Sequence, residues 1–542
     1  MAQWRTDLNE FKQPHNVHLY ELGMIATVDG NPVTNINRFP VSTTLPGSVS
    51  AFGEPYAIPI TPQIQLDSIY GITSDVFQTY TNGTAAFSGA NNSLFEVRSG
   101  TSVGGYGVLR SQRFLRYRPG QGCLCRMTAM FSTPVANSIQ RAGLFNQENA
   151  LQFGYNGTRF GVLRATGGKA VITVLTINTA PTGSQTVTVT LDGVAFTVAV
   201  TAGTTTHCAT EIADRVNGYT GWLVEQVNNT VVFLANTLAA KSGTFSMSSS
   251  GTGTLAAGTF SLKQTGVAQT ENWYYQDEWN VDVLDGSENP ITNPSGMLLD
   301  PTKLNIYQIQ FRWLGAGMLT FSVEDQTTGQ LIPVHSVHYV NQHTVPHIGN
   351  PSFKMGYVAA STGSTTDLVV RGASMMGAIE GDVRQNELNR AYSASKASLN
   401  STGTVYHLMT IRNPLVTVGD VTQENGIFAI NTKELILKDI SVAQQGNDPA
   451  TIYIFYNPTS FSAIHSYFTQ PRNNALHSTV DGSFNIATDS AITQFILPVN
   501  GEAQFRLAEF RIPVPPGSEI SIAISSTAAI AKVTGALVWS ED

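Results

Sequence analysis

The sequence predicts a mainly β protein of tandem antiparallel β-sandwich domains, jelly-roll-like in character, with a small α+β module inserted into the first. Three observations carry this. Only 13% of the residues are charged, while 42% are hydrophobic and 48 glycines punctuate long tracts of Thr, Ser, Asn and Val, a balance that favours short strands and turns over helices. Asn156-Gly157 and Asp192-Gly193 fall between apolar-rich runs, the strongest short signal for a β-hairpin. From Leu304 to Trp313, Tyr307, Ile309, Phe311 and Trp313 share one face and Ile306, Gln308, Gln310 and Arg312 the other, the period of a strand with a core side. At 542 residues the chain has room for about three domains with cores of their own.

In chain order, residues 1–50 are polar and broken by Pro14, Pro32, Pro40 and Pro46, with turn signals at Asn31-Pro32 and Pro46-Gly47. They read as an extended N-terminal anchoring arm. Residues 51–169 and 270–379 form one discontinuous β-sandwich domain, entered through an edge-like stretch marked by Pro55, Pro59 and Pro62. Its organising element runs from Tyr106 to Phe131 and reads as two strands joined by a type II turn at Arg118-Pro119-Gly120-Gln121, with proline and glycine at the positions whose φ they suit. In the returning strand Cys123, Cys125, Met127, Ala129 and Phe131 share a buried face. In the outgoing one Arg110, Arg113, Arg116 and Arg118 are crowded together without sharing a face. Their guanidinium groups need either carboxylates at the sandwich edge or a second subunit, where arginine is enriched, which makes them a candidate inter-subunit contact.

Residues 170–269 lose the aromatic and charged texture. A hairpin around Asp192-Gly193, a short amphipathic helix marked by Ala209, Ile212, Ala213 and Val216, and two strands around Asn228-Asn229 give a ββαββ module. It reads as an insertion because the aromatic texture resumes at ENWYYQDEWNVDVLDG. Residues 380–402, polar and free of proline, read as a linker of partly helical character. Residues 403–542 form a C-terminal β-sandwich domain, with strands at Leu435 to Val442, Thr451 to Tyr456, Gln504 to Ile512 and Glu519 to Ser525.

The charge balance, 38 acidic against 30 basic residues, and the lack of a basic run outside the arginine stretch argue against a nucleic-acid partner. Cys123 and Cys125 sit two apart in a strand, about 6.6 Å between Cα atoms, a poor geometry for a disulfide, so with Cys208 they read as core thiols. The N-terminal stretch has neither a basic n-region nor an apolar h-region, and no run of 18 apolar residues occurs, so folding in a cytoplasm without membrane insertion is expected. Phosphate loops, nucleophile elbows and metalloprotease motifs are missing, and neither enzyme activity nor a cofactor is expected. His335, His338, His343 and His347 raise the question of a metal. His335 and His338 fall on opposite faces of a regular strand, however, and no cysteine or carboxylate stands at useful spacing, so no metal is expected. Asp277, Glu278, Asp282 and Asp285 lie beside Trp273, Tyr274, Tyr275 and Trp279. Carboxylates among aromatics suit a glycosidase cleft; Trp273, Trp279, Asp277 and Glu278 equally suit a glycan contact without cleavage. The alternative is structural, with the aromatics filling the sandwich and the carboxylates partnering the arginines.

One resemblance rests on ordered phrases: AFGEPYAIPITPQIQLDSIYG, GYGVLRSQRFLRYRPGQG, RAGLFNQENALQFGYNGTRFGVLR, DEWNVDVLDG, LDPTKLNIYQIQFRWLGAG and a histidine segment ending HIGNPSF. The pattern, over residues 51–165 and 270–355, resembles virion structural proteins of tailed bacteriophages, especially aquatic ones, and of some large algal viruses. The inserted module resembles β-rich modules of phage tail and fibre proteins. The resemblance implies a non-enzymatic virion component made in the host cytoplasm. The expected form is an oligomeric tail or neck fibre or appendage, a homotrimer by the usual cyclic symmetry, with other virion proteins and a host-surface glycan as partners. A capsid decoration or vertex protein is the alternative within the class, and a glycan-binding or glycan-degrading tailspike the alternative outside it. Two departures stand out: there is no long repetitive stalk, and residues 403–542 contain no phrase of the family.

Overall fold

A computed structural model describes residues 59–382, 389–399, 403–417, 429–469, 475–508 and 512–541, together with Thr27–Val28 and Asn31–Pro32. The chain divides into two compact units, Met1–Pro59 and Ile60–Asp542. In the first, Thr27–Val28 pairs antiparallel with Asn31–Pro32, so Asn31 and Pro32 belong to a short strand and not to a turn. The rest of the predicted arm lies outside the described residues.

The second unit is a set of antiparallel sheets packed as sandwiches. The first sandwich faces a seven-stranded sheet, in the order Thr270–Tyr275, Arg159–Thr166, Ala150–Asn156, Ser138–Phe145, Lys354–Ser361, Tyr106–Ser111 and Phe77–Asn82, against a nine-stranded one centred on Gly122–Phe131. The expected inward face of that strand is the observed one: Cys123, Cys125, Met127, Ala129 and Phe131 are all buried. Asn305–Arg312 pairs along it, with Tyr307 opposite Met127 and Ile309 opposite Cys125. Tyr307 then meets Phe153 of the facing sheet at 4.7 Å; Phe131 closes on Tyr307 and Trp279 on Phe153 edge-on, and Phe160 tilts against Tyr307 at 6.3 Å.

One sequence expectation about this region holds and one changes. The turn at Arg118–Gln121 is present, with Gly120 at φ +87° and the Gln121 N–H donating to the Arg118 carbonyl at 3.0 Å. The strands on either side are not a hairpin, however. Tyr106–Ser111 lies in the seven-stranded sheet and Gly122–Phe131 in the nine-stranded one, so the chain between them crosses from one layer to the other and carries Arg113, Arg116 and Arg118 over the rim. Local turn chemistry is blind to this, because the same turn serves a hairpin or a layer change.

Residues 170–269 hold seven strands, not four, in two small sheets that enclose the helix Thr205–Ala213. The Thr204 hydroxyl caps the helix by accepting the His207 N–H, and Cys208, Ala209 and Ile212 face the core. Val216, expected on that stripe, lies past the helix end and is 98% exposed. Asp192 (φ +53°) and Gly193 (φ +82°) make the two-residue turn their sequence signals. The linker expected to be partly helical is instead a strand, Asn389–Leu399, paired along Ile530–Glu541 at one edge of the C-terminal sandwich. Arg390, Tyr392, Ala394 and Lys396 alternate with exposed Ala and Ser, a period of two too weak in hydrophobic contrast to read before the partner strand is known. All three cysteines are free and buried.

Candidate functional site

The candidate site is the outer face of Thr270–Tyr275, the edge strand of the seven-stranded sheet. Strand alternation divides its aromatics. Tyr274 turns inward and packs on His335 at 4.4 Å. Trp273 and Tyr275 turn outward with their rings 6.0 Å apart and within 7° of parallel. A guanidinium lies over each ring, Arg159 at 3.6 Å from the Tyr275 centroid and Arg141 at 5.1 Å from that of Trp273.

Arg141 reaches this face from three strands away. In the register Tyr275 pairs with Gly161, Gly161 with Gly154, and Gly154 with Arg141, so the two positions between carry no side chain and the arginine lies across them. It ends in a two-point ion pair, Nη1 and Nη2 each 3.0 Å from a Glu271 oxygen, while the Trp273 indole N–H donates to the same carboxylate at 3.1 Å. Arg159 holds Asp277 at 2.9 Å and reaches Glu278 at 3.5 Å. Asn156 donates to the Tyr275 hydroxyl at 3.1 Å. Three carboxylates against two guanidinium groups leave this face close to neutral, and its chemistry is a pair of parallel ring faces rimmed by hydrogen-bonding groups.

The residues singled out from the sequence separate. Trp273 stands on this face. Trp279 does not: it is 5% exposed, packed against Phe153 and Phe160, with its indole N–H on the Tyr274 carbonyl at 3.1 Å. Asp277 and Glu278 sit at an open corner, the Asp277 side chain 75% exposed, where Arg159 engages both. Asp282 is buried and accepts the Leu284 and Ser295 N–H groups, a loop-fixing role. Of the arginines, Arg110 donates to Gln78 at 3.1 Å and Tyr80 at 3.0 Å. Arg113 pairs with Glu434 at 3.0 Å, and Arg116 and Arg118 are partly buried in the crossover. The carboxylates that meet the aromatics are therefore matched by Arg141 and Arg159, which the sequence reading passed over. The signal available was glycine inside a strand, at Gly154 and Gly161, which marks close approach of another group.

His335 and His347 are buried beside Tyr274 and Tyr339, and burial pushes both imidazoles down to about 4. His343 stacks on Tyr339 at 4.0 Å, and His338 is exposed. Among the described residues no group of three or more His, Cys, Asp or Glu is placed to hold a metal ion. No helix among them is long and apolar enough to cross a membrane.

No protein-family model matches the chain, and no curated protein matches it. Solved structures similar to it include a lectin from Bauhinia forficata in complex with GalNAc, at 9% identity and TM-score 0.20, over 59% of this chain and 98% of that one. The botulinum neurotoxin serotype C1 binding domain matches at 7% identity and TM-score 0.24, over 87% and 98%. A triple jelly roll turret protein of an archaeal virus matches at 10% identity and TM-score 0.12, over 86% and 90%. Likeness at these scores carries no functional argument; the β-sandwich class stands on the sheets described above.

Proposed function

We propose that this chain is a non-enzymatic structural protein of a bacteriophage virion, an oligomeric tail or neck appendage that contributes to particle assembly and host attachment. On this reading Trp273 and Tyr275 contact a host-surface glycan. The observation that supports the glycan contact is the pair of parallel outward rings, since stacked ring faces suit the C–H faces of sugars. The carboxylates beside them are engaged by Arg159 at an exposed corner and are not set across a cleft, which favours binding over hydrolysis. What supports the structural role is the resemblance of the ordered phrases to virion structural proteins, together with the use of buried ion pairs, Arg113 with Glu434 and Arg412 with Glu225, to join successive β units.

The test is electron microscopy of intact virions decorated with gold-labelled antibody against residues 403–542. Gold on tail, neck or fibre tips is the expected result. Gold over the head or at its vertices makes the chain a capsid decoration, and no label on any particle overturns the viral reading.

A further inference from the structure

A cavity lies where the first sandwich, the inserted module and the C-terminal sandwich meet. About 60 Å³ of it is open to the centres of water molecules, room for about four to six waters and so for a ligand of about four or five heavy atoms. Leu223 and Leu234 of the module and Leu415 and Ile430 of the C-terminal sandwich give it an apolar wall. The facing wall comes from three neighbouring strands of the seven-stranded sheet. Arg110 lies opposite Gln78 on one side and Gly356 on the other, and Lys354, two residues before Gly356, belongs to the same face.

Two cations thereby meet on one neutral group. The Lys354 ammonium donates to the Gln78 Oε1 at 2.7 Å and the Arg110 Nε to the same oxygen at 3.1 Å, while the Arg110 Nη2 donates to the Tyr80 hydroxyl at 3.0 Å. Among the described residues neither cation has a carboxylate in ion-pair contact, and these bonds leave N–H donors unused on both. The acids nearby are committed elsewhere. Glu434 has both oxygens engaged by Arg113 and the Phe114 N–H. Glu148, the one acid in the lining, has Lys169 as its charged neighbour. The Asn146 and Asn431 amides are spent on fixing their loops. Lys354 is 4% exposed, and burial, with Arg110 beside it, works against its charge. Arg110 is half-buried, and its bond to Tyr80 stands where the cavity meets solvent.

We propose that this cavity binds a small oxyanion, a carboxylate or an inorganic oxyanion such as sulfate or phosphate, between Arg110 and Lys354. Negative charge there offsets the repulsion of the two cations and takes up their unused donors, whereas a cation adds to the repulsion and a neutral ligand leaves it uncompensated. The planar guanidinium suits two oxygens of one anion, and the apolar wall strengthens the contact by keeping water from it. The site is independent of the Trp273 face and of the viral reading.

The test is titration calorimetry on the full chain near neutral pH, in a buffer that contains sodium chloride as competitor. The probes are sodium acetate, formate, sulfate and phosphate, with methylammonium and glycerol as cationic and neutral controls. At least one oxyanion is expected to bind saturably; tighter acetate or formate identifies a carboxylate ligand, and tighter sulfate or phosphate a tetrahedral one. Arg110→Gln and Lys354→Met are each expected to weaken binding about tenfold or more, the loss of a hydrogen bond from a charged donor. Arg110→Lys, which keeps the charge, is expected to retain part of the affinity, so that the comparison reads charge and not folding. Lys532→Gln, at an exposed position on the strand Ile530–Glu541, is expected to change nothing. No saturable oxyanion binding, tighter binding of methylammonium or glycerol, or undiminished affinity in Arg110→Gln or in Lys354→Met overturns the proposal.

Discussion

Arg113 grips Glu434 across the boundary between the first sandwich and the C-terminal one, its Nε 3.1 Å and its Nη2 3.0 Å from the same carboxylate oxygen. The Phe114 N–H donates to the other oxygen at 3.3 Å, and the Glu434 side chain is 2% exposed. The arginine stretch thus serves at least in part as an internal joint between units far apart in sequence, and Arg113 is engaged within its own chain.

Removing one side of this joint strands a buried charge. Arg113→Ala is expected to lower stability by about 3 kcal/mol, because Glu434 stays buried without its cation. The double change Arg113→Met with Glu434→Met should recover most of the loss. Urea unfolding of the wild type and the two variants decides it: equal midpoints for wild type and Arg113→Ala would show that the pair does not hold the units together.

Lys354 is a buried amine at the same junction. It donates to Gln78 at 2.7 Å, lies 4.7 Å from the Phe114 ring, and has Arg110 and Glu434 as charged neighbours. Burial, with Arg110 adding to it, pushes its proton affinity well below the ordinary lysine value. A folded pKa below the unfolded one makes stability rise with pH until the unfolded lysine also titrates, near 10.5. Lys354→Met is therefore expected to stabilise the protein by about 1–2 kcal/mol near pH 6, with the gain shrinking as pH approaches 10. A gain that does not change with pH would assign the effect to packing alone.

Four histidines work in the acid range. Burial holds His335 and His347 down at about 4 and His407 and His465 at about 3, against an unfolded value of 6.5. They are neutral in the fold and charged in the unfolded chain over that interval, so their contribution is complete above about pH 6.5 and is lost as pH falls toward 4. Each costs about 1.4 kcal/mol per pH unit there. Urea midpoints should drop between pH 7 and pH 5, and less steeply in His335→Gln; a flat profile would mean that the rings take up protons in the folded state.

On the aromatic face, Trp273→Ala should cost clearly less stability than loss of a core tryptophan, since the ring is only partly buried, packed on Leu163 and Ala165 beside Arg141, while weakening glycan binding about tenfold or more. Trp279→Ala should do the opposite. It opens the core around Phe153 and Phe160 and costs about 3–5 kcal/mol. Binding measured on a polysaccharide array and unfolding measured by calorimetry separate the two. Undiminished binding in Trp273→Ala would remove this face from the attachment reading.

The features legible in the residues are those that depend on near neighbours. Asp192-Gly193 turns where it does because both positions take positive φ, and the buried face of Cys123 to Phe131 follows from alternation along one strand. The mainly β class and the short helix at Thr205–Ala213 rest on the same short-range logic. Partnership between strands belongs to tertiary structure. Trp273 and Trp279 look equivalent in sequence, yet the first lies on an outward strand face and the second follows the 3-10 turn Gln276–Glu278, which returns it to the core. Arg118-Pro119-Gly120-Gln121 specifies a turn but not whether the chain re-enters the same sheet or crosses to the facing one. Arg113 finds Glu434, Arg141 finds Glu271 and Arg412 finds Glu225 only after the chain has closed, because an ion pair is set by position in space, and separation along the chain carries almost no information about it.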